Sequence, residues 1–143
     1  MVQPGESFLT EALVWREAYA VGVELLDAQH REMVRLINQV LDPAAGDSAG
    51  ARLDALIAHL RRHFVTEEVF LRAIDYPLTE EHLREHALQM AEFVDLRRGI
   101  GRGSGAIGAE ARAEIRQWFF NHVVAEDRRF GAYYRRIVCG ARE

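Results

Sequence analysis

The sequence predicts an all-α fold, an antiparallel up-down-up-down four-helix bundle with an irregular N-terminal arm of about residues 1–21. Three observations lead there. Proline occurs only at positions 4, 43 and 77, so the chain is punctuated into a few long segments. β-branched residues nowhere alternate with polar ones for long enough to make a half-buried strand. Within the long segments apolar residues recur every three or four positions, the period of one helix face.

The arm contains Trp15. The first helix is expected from about Val23 to Leu41, stopped by Asp42, Pro43 and Gly46. The second is expected from Asp47 or Ser48 to about Ile74, ending at the Asp75-Tyr76-Pro77 turn. Thr79 is the expected N-cap of the third, with Glu80 and Glu81 at the positive end of the helix dipole. The stretch from Arg98-Gly99 to Gly105 ends it, and a fourth helix runs from about Ile107 to Val138. Short polar connections make consecutive helices antiparallel neighbours. No internal repeat is present, and residues 1–143 read as a single domain. The glycine segment 99–105 has no preceding strand and no closing Gly-Lys-Ser/Thr, so it reads as a flexible connection and not a phosphate loop.

Composition narrows the function. With 18 Lys+Arg against 22 Asp+Glu, a net charge of −4 and 49% hydrophobic residues, the chain reads as one soluble domain with a sizeable core. Its arginines are scattered among acids, which argues against nucleic acid. The one cysteine, Cys139, excludes a disulfide-stapled fold and any multi-thiolate metal site, and nothing near it marks it as reactive. No apolar run approaches the ~18 to 20 residues of a membrane span, and Glu6 and Glu11 stand where a signal peptide would be basic or apolar. The expectation is a cytoplasmic monomer without membrane insertion.

Polar residues that interrupt the apolar stripes carry the chemistry. Leu26, Met33, Val34, Ile37 and Leu41 line one face of the first helix, with His30 in the middle. Leu53, Leu56, Leu60, Phe64, Phe70 and Ile74 line the second, with His63 and Glu67 inside the stripe. Four residues of helix leave only about 40° between two side chains, so both can point at one object. His82 and His86 repeat that spacing ahead of Met90 and Phe93. His122 follows Ile115 and Trp118, and Asp127 lies five further on. Singly, each is ordinary: a histidine among leucines is usually a hydrogen-bonded core residue. Together, five imidazoles and two carboxylates converging from four helices need something that satisfies them. Cations do so, since both groups are standard ligands of iron, zinc and manganese. Seven ligands are too many for one ion that also binds substrate, and two ions bridged by the carboxylates fit better.

The series His30, His63-Phe64-x-x-Glu67-Glu68, His82-x-x-x-His86 and Trp118-x-x-x-His122-x-x-x-x-Asp127 resembles the hemerythrin family, and within it the bacterial single-domain bacteriohemerythrins. Trp15, Gly22-Val23-x-Leu25-Leu26-Asp27-x-Gln29-His30 and Tyr76-Pro77 match as well, so the resemblance spans about Trp15 to Tyr134. Myohemerythrin is itself a four-helix bundle, so the agreement in fold is not independent. The resemblance implies two iron ions. His82, His86 and His122 would bind one and His30 and His63 the other, with Glu67, Asp127 and a solvent-derived oxygen bridging. One position is then left open, and it implies reversible binding of dioxygen. Five histidines to two carboxylates favours binding over the committed oxidation of carboxylate-rich di-iron sites.

The leading expectation is storage, delivery or buffering of dioxygen by a protein that is not an enzyme, with no acceptor or reductase indicated. The alternatives are a di-iron peroxidase, a nitric oxide or peroxide scavenger, and an iron or oxygen sensor. Phe64, Trp118 and Phe119 would keep the pocket dry, and Phe119 stands where the family usually has a smaller aliphatic residue. His59, one turn before His63, reads as a neighbour of the ligands able to donate to a carboxylate. Glu68, Glu81, Glu85 and Glu126 read as solvated helix faces. Five residues of α-helix rotate about 140°, which would aim His122 and Asp127 apart, so a one-residue π-type widening is expected near Val124 to Glu126.

Overall fold

A computed structural model describes residues 12–102 and 106–140, the side chains of Asp47, Arg102 and Cys139 excepted. Expectations resting on Glu6, Glu11, residues 103–105 and Cys139 lie outside the described residues. The described chain is helical throughout its core, as the stripes predict: α1 (Glu24–Leu41), α2 (Ala49–Ala73), α3 (Thr79–Arg102), then α4 (Ala109–Phe119), a π-helical segment (Phe120–Asp127) and α5 (Arg128–Gly140) as one rod. α1 packs on α2, α2 on α3, and α4 returns to α1. Among the described residues no helix is long and apolar enough to cross a membrane.

The arm is fastened by side chains that stand in for missing backbone partners. Both oxygens of buried Asp27, in the first turn of α1, accept backbone N–H groups, from Val21 at 2.8 Å and Gly22 at 3.2 Å. Gly22 adopts φ +92°, a left-handed conformation that glycine takes without strain. Asn38 bonds the Leu13 backbone twice, accepting from its N–H at 2.7 Å and donating to its carbonyl at 2.9 Å. A side chain on Gly131 would meet the Val21 carbonyl oxygen at 3.0 Å, so α5 packs directly on the arm.

The helix ends follow the predicted punctuation with two corrections. α1 stops at Asp42, whose carboxylate accepts from Ala44 N at 2.9 Å across Pro43. α2 closes in a Schellman arrangement: Asp75 takes φ +52°, Tyr76 N donates to Leu71 O at 3.0 Å and Asp75 N to Arg72 O at 3.2 Å. Thr79 is the first residue of α3 and not its cap, because its hydroxyl donates to Tyr76 O at 2.6 Å. α3 also runs through Gly99 to Arg102, since buried Ile100 still has core to pack against.

The core divides into two apolar clusters. The larger joins Met33, Ile37, Leu53, Leu56, Leu60, Phe93, Ile115, Phe119 and Val123. The smaller joins Val21, Leu26, Leu71, Tyr76 and Phe130. Phe70 and Ile74 only flank the smaller cluster, and Leu71, fully buried, takes the place expected of them on α2.

Candidate metal centre

All seven polar intrusions are buried and come together inside the bundle. α1 supplies His30, α2 His63 and Glu67, α3 His82 and His86, and the π segment His122 and Asp127. The last pair meets because the helix widens. In an i→i+5 ladder residues five apart stack, and His122 Nε2 lies 3.1 Å from Asp127 Oδ2. The widening spans Phe120 to Asp127 and contains the stretch from Val124 to Glu126 where it is expected.

The carboxylates divide their oxygens between two sets of imidazoles. Glu67 Oε2 lies 3.0 Å from His63 Nε2, while Glu67 Oε1 lies 2.5 Å from His82 Nε2 and 3.0 Å from His86 Nε2. Asp127 Oδ2 lies 2.9 Å from His30 Nε2, and Asp127 Oδ1 lies 3.3 Å from His82 Nε2. Two groups able to hold a cation result, each with its ligand atoms within 4.8 Å of one another: His30, His63, Glu67, His122 and Asp127, and Glu67, His82 and His86. His122 stands between the two sets: its Nε2 is 3.5 Å from that of His63, and its ring centroid is 5.6 Å from that of His63 and 5.4 Å from that of His86.

The donor set fits a pair of cations. Glu67 Oε2 and both Asp127 oxygens are buried and receive no hydrogen bond, although imidazole nitrogens stand close to each. Two ligand atoms at right angles, each about 2.1 Å from an ion, lie about 3.0 Å apart, close to most of the separations above. Without metal the layer holds itself by protons. Burial opposes charge on His82, but Asp127 and Glu67 outweigh it and raise its pKa to about 9. Burial likewise opposes charge on His30 and His122, and the same carboxylates raise both. Burial wins at His63, whose pKa falls to about 4. Burial opposes charge on Glu67 and Asp127 as well, but the surrounding imidazoles together outweigh it and hold both carboxyls below their ordinary values.

Around these groups lie partners that sequence periodicity does not reveal. His63 Nδ1 donates to Gln29 Oε1 at 2.8 Å, and His86 Nδ1 to Glu68 Oε1 at 3.2 Å. Glu126 Oε2 stands 3.8 Å from His122 Nδ1, and neither atom has a hydrogen-bond partner. Glu68 and Glu126 belong to neither metal-holding group, as expected, but each is half-buried and turns towards a cluster histidine. Gln29 sits beside His30 in the sequence, a half-buried amide on the α1–α2 seam, and that position was its only signal. His59 lies outside both groups: its Nε2 donates to the Gln29 backbone carbonyl at 2.9 Å, not to a carboxylate. Phe64 stacks on His86 at 4.0 Å and Trp118 on His122 at 5.1 Å. Phe119 is fully buried, with its ring against Tyr19 and Phe120. A cleft of about 610 Å³ reaches the layer from outside at His82, lined also by Tyr76, Glu81, Glu85, Asn121 and Glu126.

A four-helix bundle with histidines and shared carboxylates at its centre is a metal-binding bundle, and the comparisons say which. The family model for the hemerythrin HHE cation binding domain matches residues 21–134. The chain is 34% identical to the bacteriohemerythrin of Ralstonia nicotianae over 129 residues, covering 90% of this chain and 93% of that one. It is 27% identical to the bacteriohemerythrin of Methylococcus capsulatus, covering 83% and 94%. A crystal structure of a hemerythrin mutant superposes with a TM-score of 0.76 at 27% identity, covering 84% of this chain and 95% of that chain. The chain belongs to the hemerythrin family.

Proposed function

We propose that the seven-residue cluster holds two iron ions and that the chain uses them to bind dioxygen reversibly, as a store, carrier or buffer. The division of Glu67 and Asp127 between two sets of imidazoles carries this reading, because it gives two adjacent ions a shared pair of anionic ligands. Five neutral nitrogens and two carboxylates suit ferrous iron, and the ferrous pair supplies the electrons that hold dioxygen. The chain's own part is to fix the ligands and keep them dry. Phe64 and Trp118 cover two ligand rings, and Phe119 fills the interior beside them. The protein belongs to no catalytic cycle in this reading, and dioxygen is its ligand.

Iron content together with visible absorption of the reduced protein, before air, in air and after its removal, tests the proposal. Two irons per chain and a band that appears and disappears with oxygen are expected. The cleft at His82 supports a second reading, a di-iron enzyme acting on peroxide or nitric oxide, because it offers a polar solute a way to the edge of the centre. Irreversible oxidation on first exposure, with peroxide turnover by a reducing dye, would favour that reading.

A further inference from the structure

We infer that Gln29 is a positioning residue that fixes which nitrogen of His63 carries the ring proton, through a hydrogen-bond chain that runs from His63 through Gln29 and Thr66 to the Arg62 backbone carbonyl. The inference rests on the reading of His63 as a metal ligand. The chain starts at the Arg62 backbone carbonyl, which can only accept. The Thr66 hydroxyl lies 2.9 Å from it and donates its single hydrogen there. Towards Gln29 the hydroxyl is therefore an acceptor, so the group 3.1 Å away must be the amide nitrogen, Gln29 Nε2. That leaves Gln29 Oε1 facing His63 Nδ1 at 2.8 Å, where an oxygen can only accept. His63 consequently carries its proton on Nδ1 and presents the lone pair of Nε2 to Glu67 and His30.

The direction of the chain matters because the other amide orientation would reverse it. A flipped Gln29 would offer an N–H to His63 Nδ1, move the ring proton to Nε2 and block the atom a metal needs. Thr66 opposes the flip, which would cost it the bond to the Arg62 carbonyl, although it touches no member of the cluster. His59 supports the same residue from its backbone, donating to the Gln29 carbonyl at 2.9 Å and tying α2 to α1 at that level.

Two measurements on the full chain test this: long-range nitrogen NMR of the histidine rings in the metal-free protein, and cobalt(II) titration of the stripped protein. The expected result is an Nδ1-protonated His63 in the wild type. Gln29→Leu should weaken cobalt binding about 10- to 100-fold, the usual effect of losing such a partner. Gln29→Glu, which can only accept, should restore it. Thr66→Val should populate the Nε2-protonated ring and weaken cobalt binding less than Gln29→Leu. Full affinity in Gln29→Leu, or an Nε2-protonated ring in the wild type, overturns the inference and leaves the metal-centre reading standing. An Nδ1-protonated ring in a wild-type chain that takes up no cobalt overturns the metal-centre reading, and with it the positioning role.

Discussion

Two regions share the interior of this bundle and are held by opposite physics. The larger apolar cluster, Met33 to Val123, consists of side chains that gain by leaving water, and it needs nothing that the chain does not supply. The polar layer beside it buries five imidazoles and two carboxylates, whose desolvation is a cost until charge is balanced. One region is complete as folded; the other holds three carboxylate oxygens that receive no hydrogen bond. The comparison teaches where stability and function separate: substitutions in the cluster should act equally with and without metal, and substitutions in the layer should act through the metal.

The largest effect is expected at Glu67, which belongs to both metal-holding groups among the described residues and lies closest to both sets of imidazoles. Glu67→Ala should weaken uptake of both ions by more than the ~100-fold that losing an outer partner costs. The gap between the melting temperatures of the loaded and stripped protein should close. A variant that still binds two ions per chain would show that the carboxylate is not shared.

The next largest belongs to the apolar side. Phe119 is fully buried among Tyr19, Phe120 and the cluster. Phe119→Ala should cost about 3–5 kcal/mol, a melting shift on the order of 10 °C. The shift should be the same in loaded and stripped protein. A loss confined to the loaded form would mean that the two regions are coupled through this ring.

What the sequence shows of each region follows the same division. Periodicity reports which face of a helix is buried, so the stripes, the turns and all seven cluster residues were legible as intrusions. The five-residue step from His122 to Asp127 even betrays the π segment, because no regular helix could close it. Periodicity does not report what a side chain touches across a seam. Gln29, Glu68 and Glu126 are half-buried, off the stripe, and gain their meaning only from the helix opposite. The placing of His122 between the two sets depends on ring directions, and the extension of α3 past Gly99 depends on Ile100 finding core. Both are decided by packing that no single helix contains.

The smallest expected effect separates the regions by whether stability has a pH slope at all. In the stripped protein His82 has a pKa raised to about 9, so its contribution to stability is full below its ordinary value near 6.5 and is lost as pH rises through 9. His30 and His122 are raised too and act in the same direction. His63, lowered to about 4, acts oppositely: its contribution is lost as pH falls from 6.5 through 4. The stripped protein should therefore weaken from about pH 6.5 to 9. Metal uptake must expel the His82 proton, so affinity should rise over that window, by about tenfold per pH unit for each proton released. The two terms cancel in the loaded protein, so its melting curve should be flat over that window while that of the stripped protein falls, and Phe119→Ala should lower both without changing either slope. Parallel slopes would mean that the ion does not compete with protons for His82, and that this imidazole is a neighbour of the centre and not one of its ligands.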